Sequence, residues 1–81
     1  MTAAPIRVAI VDDSAFMRIA LRQMFGRIEG VEVVAEGRNG KEAIEIAASH
    51  APDLMTLDVL MPQMNGIAAL ERIMADHPCP I

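Results

Sequence analysis

Tryptophan and tyrosine are missing from this 81-residue sequence, and Phe16 and Phe25 are its whole aromatic complement. Any core must therefore be built from Ile, Val, Leu, Ala and Met. One cysteine, Cys79, leaves no internal disulfide, which fits a reducing cytosol. No apolar run reaches the ~18–20 residues of a membrane span. The N-terminus lacks a charged start followed by an apolar stretch, so no secretory signal is expected. Basic clusters are missing too, and a formal net charge of −4 argues against nucleic acid as a direct partner. There is no Gly-x-Gly-x-x-Gly and no Gly-Lys-Ser/Thr, so nucleotide binding has no support. Ser14 and Ser49 stand at helix positions without a paired base, which excludes a Ser-His-Asp set. Linkers, repeats and low-complexity stretches are also absent. What is there is 53% hydrophobic, too apolar for disorder and long enough for one domain at most.

Along the chain two signals alternate. Residues 7–11 are a short, almost wholly apolar run, as expected of a parallel strand buried on both faces. Asp12-Asp13-Ser14 ends it, with Ser14 a good helix N-cap. From Ala15 to about Arg27, Met17, Leu21, Met24 and Ile28 recur at helical spacing, with Gly26 and Gly30 at the exit. Residues 31–35 form a second β-branched run. Asn39-Gly40-Lys41-Glu42 reads as a capping box, with Asn39 capping and Glu42 reaching back. Ala43, Ile44, Ala47 and Ala48 give the stripe of a second helix, ended before Pro52. Residues 54–57 are a third strand with Asp58 at its end, and residues 59–65 are a loop containing Pro62. Leu70, Ile73 and Met74 mark a third helix from Gly66 to near His77-Pro78, and Pro80-Ile81 would open a fourth strand. The order βαβαβα(β) with short connections predicts an α/β fold with a parallel sheet.

In such sheets ligands gather at the carboxyl ends of the strands. Asp12 and Asp13 stand at the end of the first strand and Asp58 at the end of the third. If those strands are neighbours, three carboxylates share one small pocket and repel, and a hard divalent cation such as Mg²⁺ would offset them. Asp58 is then a plausible nucleophile toward a phosphoryl group. Taken singly, each motif is ordinary: Asp-Asp-Ser is a helix cap, and one Asp at a strand end is a turn residue. Met61 and Met64 read as loop or core-edge residues, since thioethers are too soft for Mg²⁺. His50 and His77 fit helix C-termini, Cys79 a small buried residue, and Arg18, Arg22, Glu42 and Glu45 solvated helix faces.

Three blocks resemble the receiver domain of two-component response regulators: Val11-Asp12-Asp13-Ser14, Asn39-Gly40-Lys41-Glu42-Ala43, and Leu57-Asp58-Val59-Leu60-Met61-Pro62-Gln63-Met64-Asn65-Gly66. The likeness runs from about Ile6 to Ile81. Within that family, Asp12-Asp13-Ser14-Ala15-Phe16-Met17-Arg18 and His77-Pro78-Cys79-Pro80-Ile81 look like the receiver of chemotaxis protein-glutamate methylesterases. The resemblance implies a flavodoxin-like (CheY-like) fold with strand order 2-1-3 over about three βα units. It also implies Asp58 as phosphoacceptor, Mg²⁺ held by Asp12, Asp13, Asp58 and the Leu60 backbone carbonyl, and a phosphohistidine on a sensor histidine kinase as donor. The location implied is cytoplasmic. Asn65 departs from the family, which usually has Asp before the glycine.

The resemblance further implies a longer domain, so residues 1–81 are expected to be a partial receiver. The family's fourth and fifth strands end in a Ser/Thr and a Lys that bind the phosphoryl group, and Lys41, the one lysine, lies in the second helix. Metal binding is then expected to survive, phosphorylation to be poor and signalling output to be absent. The third strand becomes an unprotected edge and the first helix keeps an open apolar stripe. Two functions follow: a phosphoacceptor module, or a fragment that acts by self-association, as a homo-oligomer through that edge or that helix. An aspartate-nucleophile phosphohydrolase is a third class, disfavoured because it usually places Asp-x-Asp on one strand. No methylesterase activity is expected of these residues themselves.

Overall fold

A computed structural model describes residues 4–58 and 65–81 of the chain. Strand β1 (Ile6–Val11) leads to helix α1 (Ala15–Gly26), β2 (Val31–Gly37), α2 (Gly40–His50), β3 (Leu54–Leu57) and α3 (Gly66–Asp76). The strands form one parallel sheet in the order β2-β1-β3. The centre strand is apolar on both sides because both faces are covered: Val8, Ala9, Ile10 and Val11 are all at most 1% exposed. Alternation then sorts them. Ala9 and Val11 join Met55 in a core with Ala43, Ile46 and Ala47 of α2 and Ala69 and Ile73 of α3. Val8 and Ile10 point to the other face, where α1 packs over β1 and β2.

The pairing of β1 with β2 shifts between Val8 and Ala9: Val8 lies opposite Val33, and Ala9 lies opposite Ala35. Val34 is therefore the extra residue of a β-bulge. The strand also runs two residues further than expected, to Gly37. A Cβ at Gly37 would lie 3.0 Å from Ile46 Cδ1 and 3.2 Å from Glu42 Cβ, so glycine permits α2 to close onto the sheet there. Gly30, at φ +84°, makes the left-handed turn into β2, and its carbonyl accepts the Ile6 N–H at 2.7 Å.

Each helix start is capped as its chemistry requires. Ser14 Oγ accepts from Met17 N, Asn39 Oδ1 from Glu42 N, and Asn65 Oδ1 from Ala68 N. Asparagine and aspartate serve equally as such caps, which gives Asn65 a structural role at the entry to α3. Glu42 reaches back one residue beyond its expected target: it accepts from the backbone N–H of Arg38 and pairs with the Arg38 guanidinium. His50 is the last residue of α2, and His77 caps α3 through its N–H to Ile73 O. Cys79 is buried, as expected.

The helix faces differ in detail from the apolar spacing. In α1 the inward, half-buried positions are Arg18, Phe25 and, as expected, Leu21, whereas Met17 and Met24 are exposed, as is Ile28 just beyond the helix, and no α1 residue is fully buried. In α2, Ile46 takes the place expected of Ala48, which is exposed; in α3, Ala69 and Ile73 are buried while Leu70 is half-buried and Met74 exposed. Arg22 and Glu45 are exposed as expected, Arg22 pairing with Glu36 of β2 at 2.8 Å. Among the described residues, the outer edge of β3 is engaged by Pro80, which stands in no strand where a fourth was expected to open: Met55 N–H donates to Pro80 O at 2.8 Å. Met61, Met64 and most of the expected loop over 59–65 lie outside the described residues. Among those described, no helix is long and apolar enough to cross a membrane.

Candidate metal centre

The tips of β1 and β3 are adjacent because the last pair of their ladder, Val11 with Leu57, is in register. One residue on, Asp58 N–H donates to Val11 O at 3.1 Å, which carries the pairing past the strand end. Asp12 is held on the other side by β2, its N–H donating to Gly37 O at 3.1 Å. The chain then turns into α1. Asp12 Oδ1 accepts from Ser14 N at 2.9 Å, and Arg18 Nη1 donates to the Asp12 carbonyl at 2.7 Å. Four backbone or charged contacts thus fix the turn that presents Asp12 and Asp13. Arg18, expected on a solvated face, is half-buried against this turn.

The result is a convergence of Asp12, Asp13 and Asp58, each with one carboxylate oxygen within 4.8 Å of the others. Asp12 and Asp58 are half-buried and Asp13 is exposed. Like charges this close oppose each other. The donors are all hard oxygens, and an octahedral ion at ~2.1 Å from its ligands sets them ~3–4 Å apart. The three carboxylates fit a small hard divalent cation on both counts. Leu60, whose carbonyl was expected as a further donor, lies outside the described residues. Lys41 is exposed in the first turn of α2. Two contacts had little signal in the sequence: the inward turn of Arg18 and the close approach at Gly37. An arginine three and seven residues before Leu21 and Phe25 was the only hint of the first.

Comparison with known proteins agrees with this fold. The family model described as the response regulator receiver domain matches residues 8–81. A protein-glutamate methylesterase/protein-glutamine glutaminase of Oleidesulfovibrio alaskensis is 50% identical over 76 residues, covering 94% of this chain and 21% of that protein. The protein of the same name from Pyrococcus abyssi is 48% identical over 81 residues, covering 100% of this chain and 22% of its own length. The chain thus spans about a fifth of these relatives. Among solved structures, the response regulator domain of Thermotoga maritima CheB is similar at a TM-score of 0.91 and 44% identity, covering 93% of this chain and 56% of that one. The CheX-CheY-BeF3-Mg complex of Borrelia burgdorferi is similar at 0.79 and 38%, covering 89% and 55%. By fold, by strand order and by the family model that spans nearly all of its length, the chain belongs to the response regulator receiver domains of two-component signalling.

Proposed function

We propose that this chain is a phosphoacceptor module of a chemotaxis-type response regulator, with Asp58 as the nucleophile and a sensor histidine kinase as the phosphodonor. The observation that carries it is the meeting of three carboxylates at the tips of two neighbouring strands. Asp12, Asp13 and Asp58, with the Leu60 carbonyl, would hold Mg²⁺. The cation would supply charge neutralisation for the incoming phosphoryl oxygens. The protein supplies placement: β3 presents the Asp58 carboxylate at its tip, and the β1–α1 turn presents Asp12 and Asp13 beside it. An Asp58 oxygen bonds to phosphorus as the donor's P–N bond breaks, its electron pair returning to the imidazole, and an acyl phosphate results. A cytoplasmic location suits that chemistry. The methylesterase activity named for the relatives belongs to chains about five times as long.

Beryllofluoride, a phosphoryl mimic, tests this. With Mg²⁺ it is expected to shift the amide resonances around Asp58 in the wild-type chain and leave D58N unchanged. Equal spectra with and without it in the wild type would remove the proposal.

A second reading has its own observation. Helix α1 buries no residue, and Phe16 is 77% exposed beside Ile19 at 45%. Such a face favours self-association, as a homo-oligomer through α1 or through the β3 edge. Sedimentation of the chain at rising concentration separates the two: a monomer throughout excludes the oligomer and leaves the phosphoacceptor reading intact.

A further inference from the structure

Arg18 has an unusual place for an arginine in the first turn of a helix. It shares the inward face of α1 with Leu21 and Phe25 and is half-buried, while Phe16, Met17 and Ile19 around it are exposed. Its Nη1 donates to the Asp12 carbonyl at 2.7 Å, a charge-assisted bond and hence stronger than a neutral one. That carbonyl belongs to the planar peptide unit joining Asp12 to Asp13. Holding its oxygen fixes the plane, and the plane fixes the direction in which Asp13 leaves the strand. Asp12 is secured independently, its N–H by Gly37 O and its carboxylate by Ser14 N. Asp13 is the exposed member of the three.

We infer that Arg18 is a positioning residue for the cation site: by clamping the Asp12–Asp13 peptide it sets the Asp13 carboxylate toward Asp12 and Asp58. The inference rests on the reading above that these carboxylates hold Mg²⁺. It also runs against the sign of the side chain's charge. A guanidinium beside an acidic cluster repels a second cation, so its removal as a mere charge would tighten Mg²⁺ binding. Its removal as a clamp would loosen it. Screening in solvent weakens the first effect, while a second contact that orients a ligand is worth about tenfold or more in metal affinity.

The test is the Mg²⁺ dissociation constant of the wild type, R18M and R18K by calorimetric titration, with the circular dichroism and melting temperature of each metal-free chain. R18M is expected to bind about tenfold more weakly. R18K keeps one donor for the carbonyl and is expected within about threefold of the wild type. Binding by R18M equal to or tighter than the wild type overturns the inference, as does an R18K no better than R18M. Should R18M fail to fold, the wild type still decides: the Arg18 guanidinium protons are expected to exchange slowly with and without Mg²⁺, and free exchange in both states overturns the clamp. A flat titration of the wild type fells the cation reading itself and this inference with it. A normal wild type beside an unaffected R18M fells the inference alone.

Discussion

Asp58 donates its backbone N–H to the carbonyl of Val11 at 3.1 Å, so the residue after β3 is tied to the last residue of β1. This single bond links two segments 47 positions apart in sequence. It places the Asp58 carboxylate within reach of a turn whose geometry is fixed by α1 and β2. The consequences can be measured.

Asp13→Asn removes one of three mutually repelling charges and replaces a carboxylate donor with a weaker, neutral amide oxygen. Mg²⁺ affinity is expected to fall by more than about tenfold, while the metal-free protein gains up to ~1 kcal/mol at low salt, less as salt rises. Calorimetric titration and urea melts at two ionic strengths check both halves. An unchanged Mg²⁺ affinity would show that Asp13 is not a ligand.

Gly37→Ala introduces a methyl 3.0 Å from Ile46 Cδ1 and 3.2 Å from Glu42 Cβ. The helix must move or the side chains must repack, at ~1–3 kcal/mol. The midpoint of urea unfolding is expected to drop with its slope unchanged. Because the Gly37 carbonyl also holds Asp12, Mg²⁺ affinity is expected to fall in parallel.

Thr56 Oγ1 is buried and finds no hydrogen-bond partner among the described residues. Thr56→Val keeps the shape and removes the unsatisfied hydroxyl, so stability is expected to rise by ~1 kcal/mol. In a chain of this size that is about 4–8 °C in melting temperature. A lower melting temperature would mean that the hydroxyl is bonded in solution.

Burial pushes the Cys79 thiol above its ordinary value. The unfolded thiol ionises first, so this group stabilises the fold fully below the ordinary pKa of an unfolded thiol. Above it the contribution is lost as pH rises toward the folded value. Unfolding free energy is expected to decline through that alkaline window in the wild type and to decline less in C79A. Alkylation of the native chain at neutral pH is expected to be slow.

The six elements and their order were legible in the sequence because strand and helix signals alternate cleanly, with Ser14 and Asn39 marking helix starts. The three carboxylates were legible because each ends a strand. The inward face of α1 was not. Its apolar residues outnumber what one face can bury, so Leu21 was placed correctly while Met17 and Met24 drew the rest of the stripe one position away from Arg18 and Phe25. In α2, alanines carry too little hydrophobic contrast to say whether Ala48 or Ile46 points inward. The Met55–Pro80 contact pairs an N–H with a carbonyl beyond any strand, and main-chain groups leave no trace in side-chain pattern.

The bulge at Val34 has a bearing on how this chain can vary in length. Side chains switch sides of the sheet at every step, so losing one residue from an ordinary strand turns all that follow inside out. In β2 the switch is already interrupted between Val33 and Ala35, which lie opposite consecutive residues of β1. Excising Val34 would leave Ala35, Glu36 and Gly37 facing as they do now. The Val33–Val34 pair, where losing either valine gives the same chain, is thus the place in this strand where a deletion is expected to be survivable, and a natural homologue one residue shorter there would still carry Gly37 level with Val11.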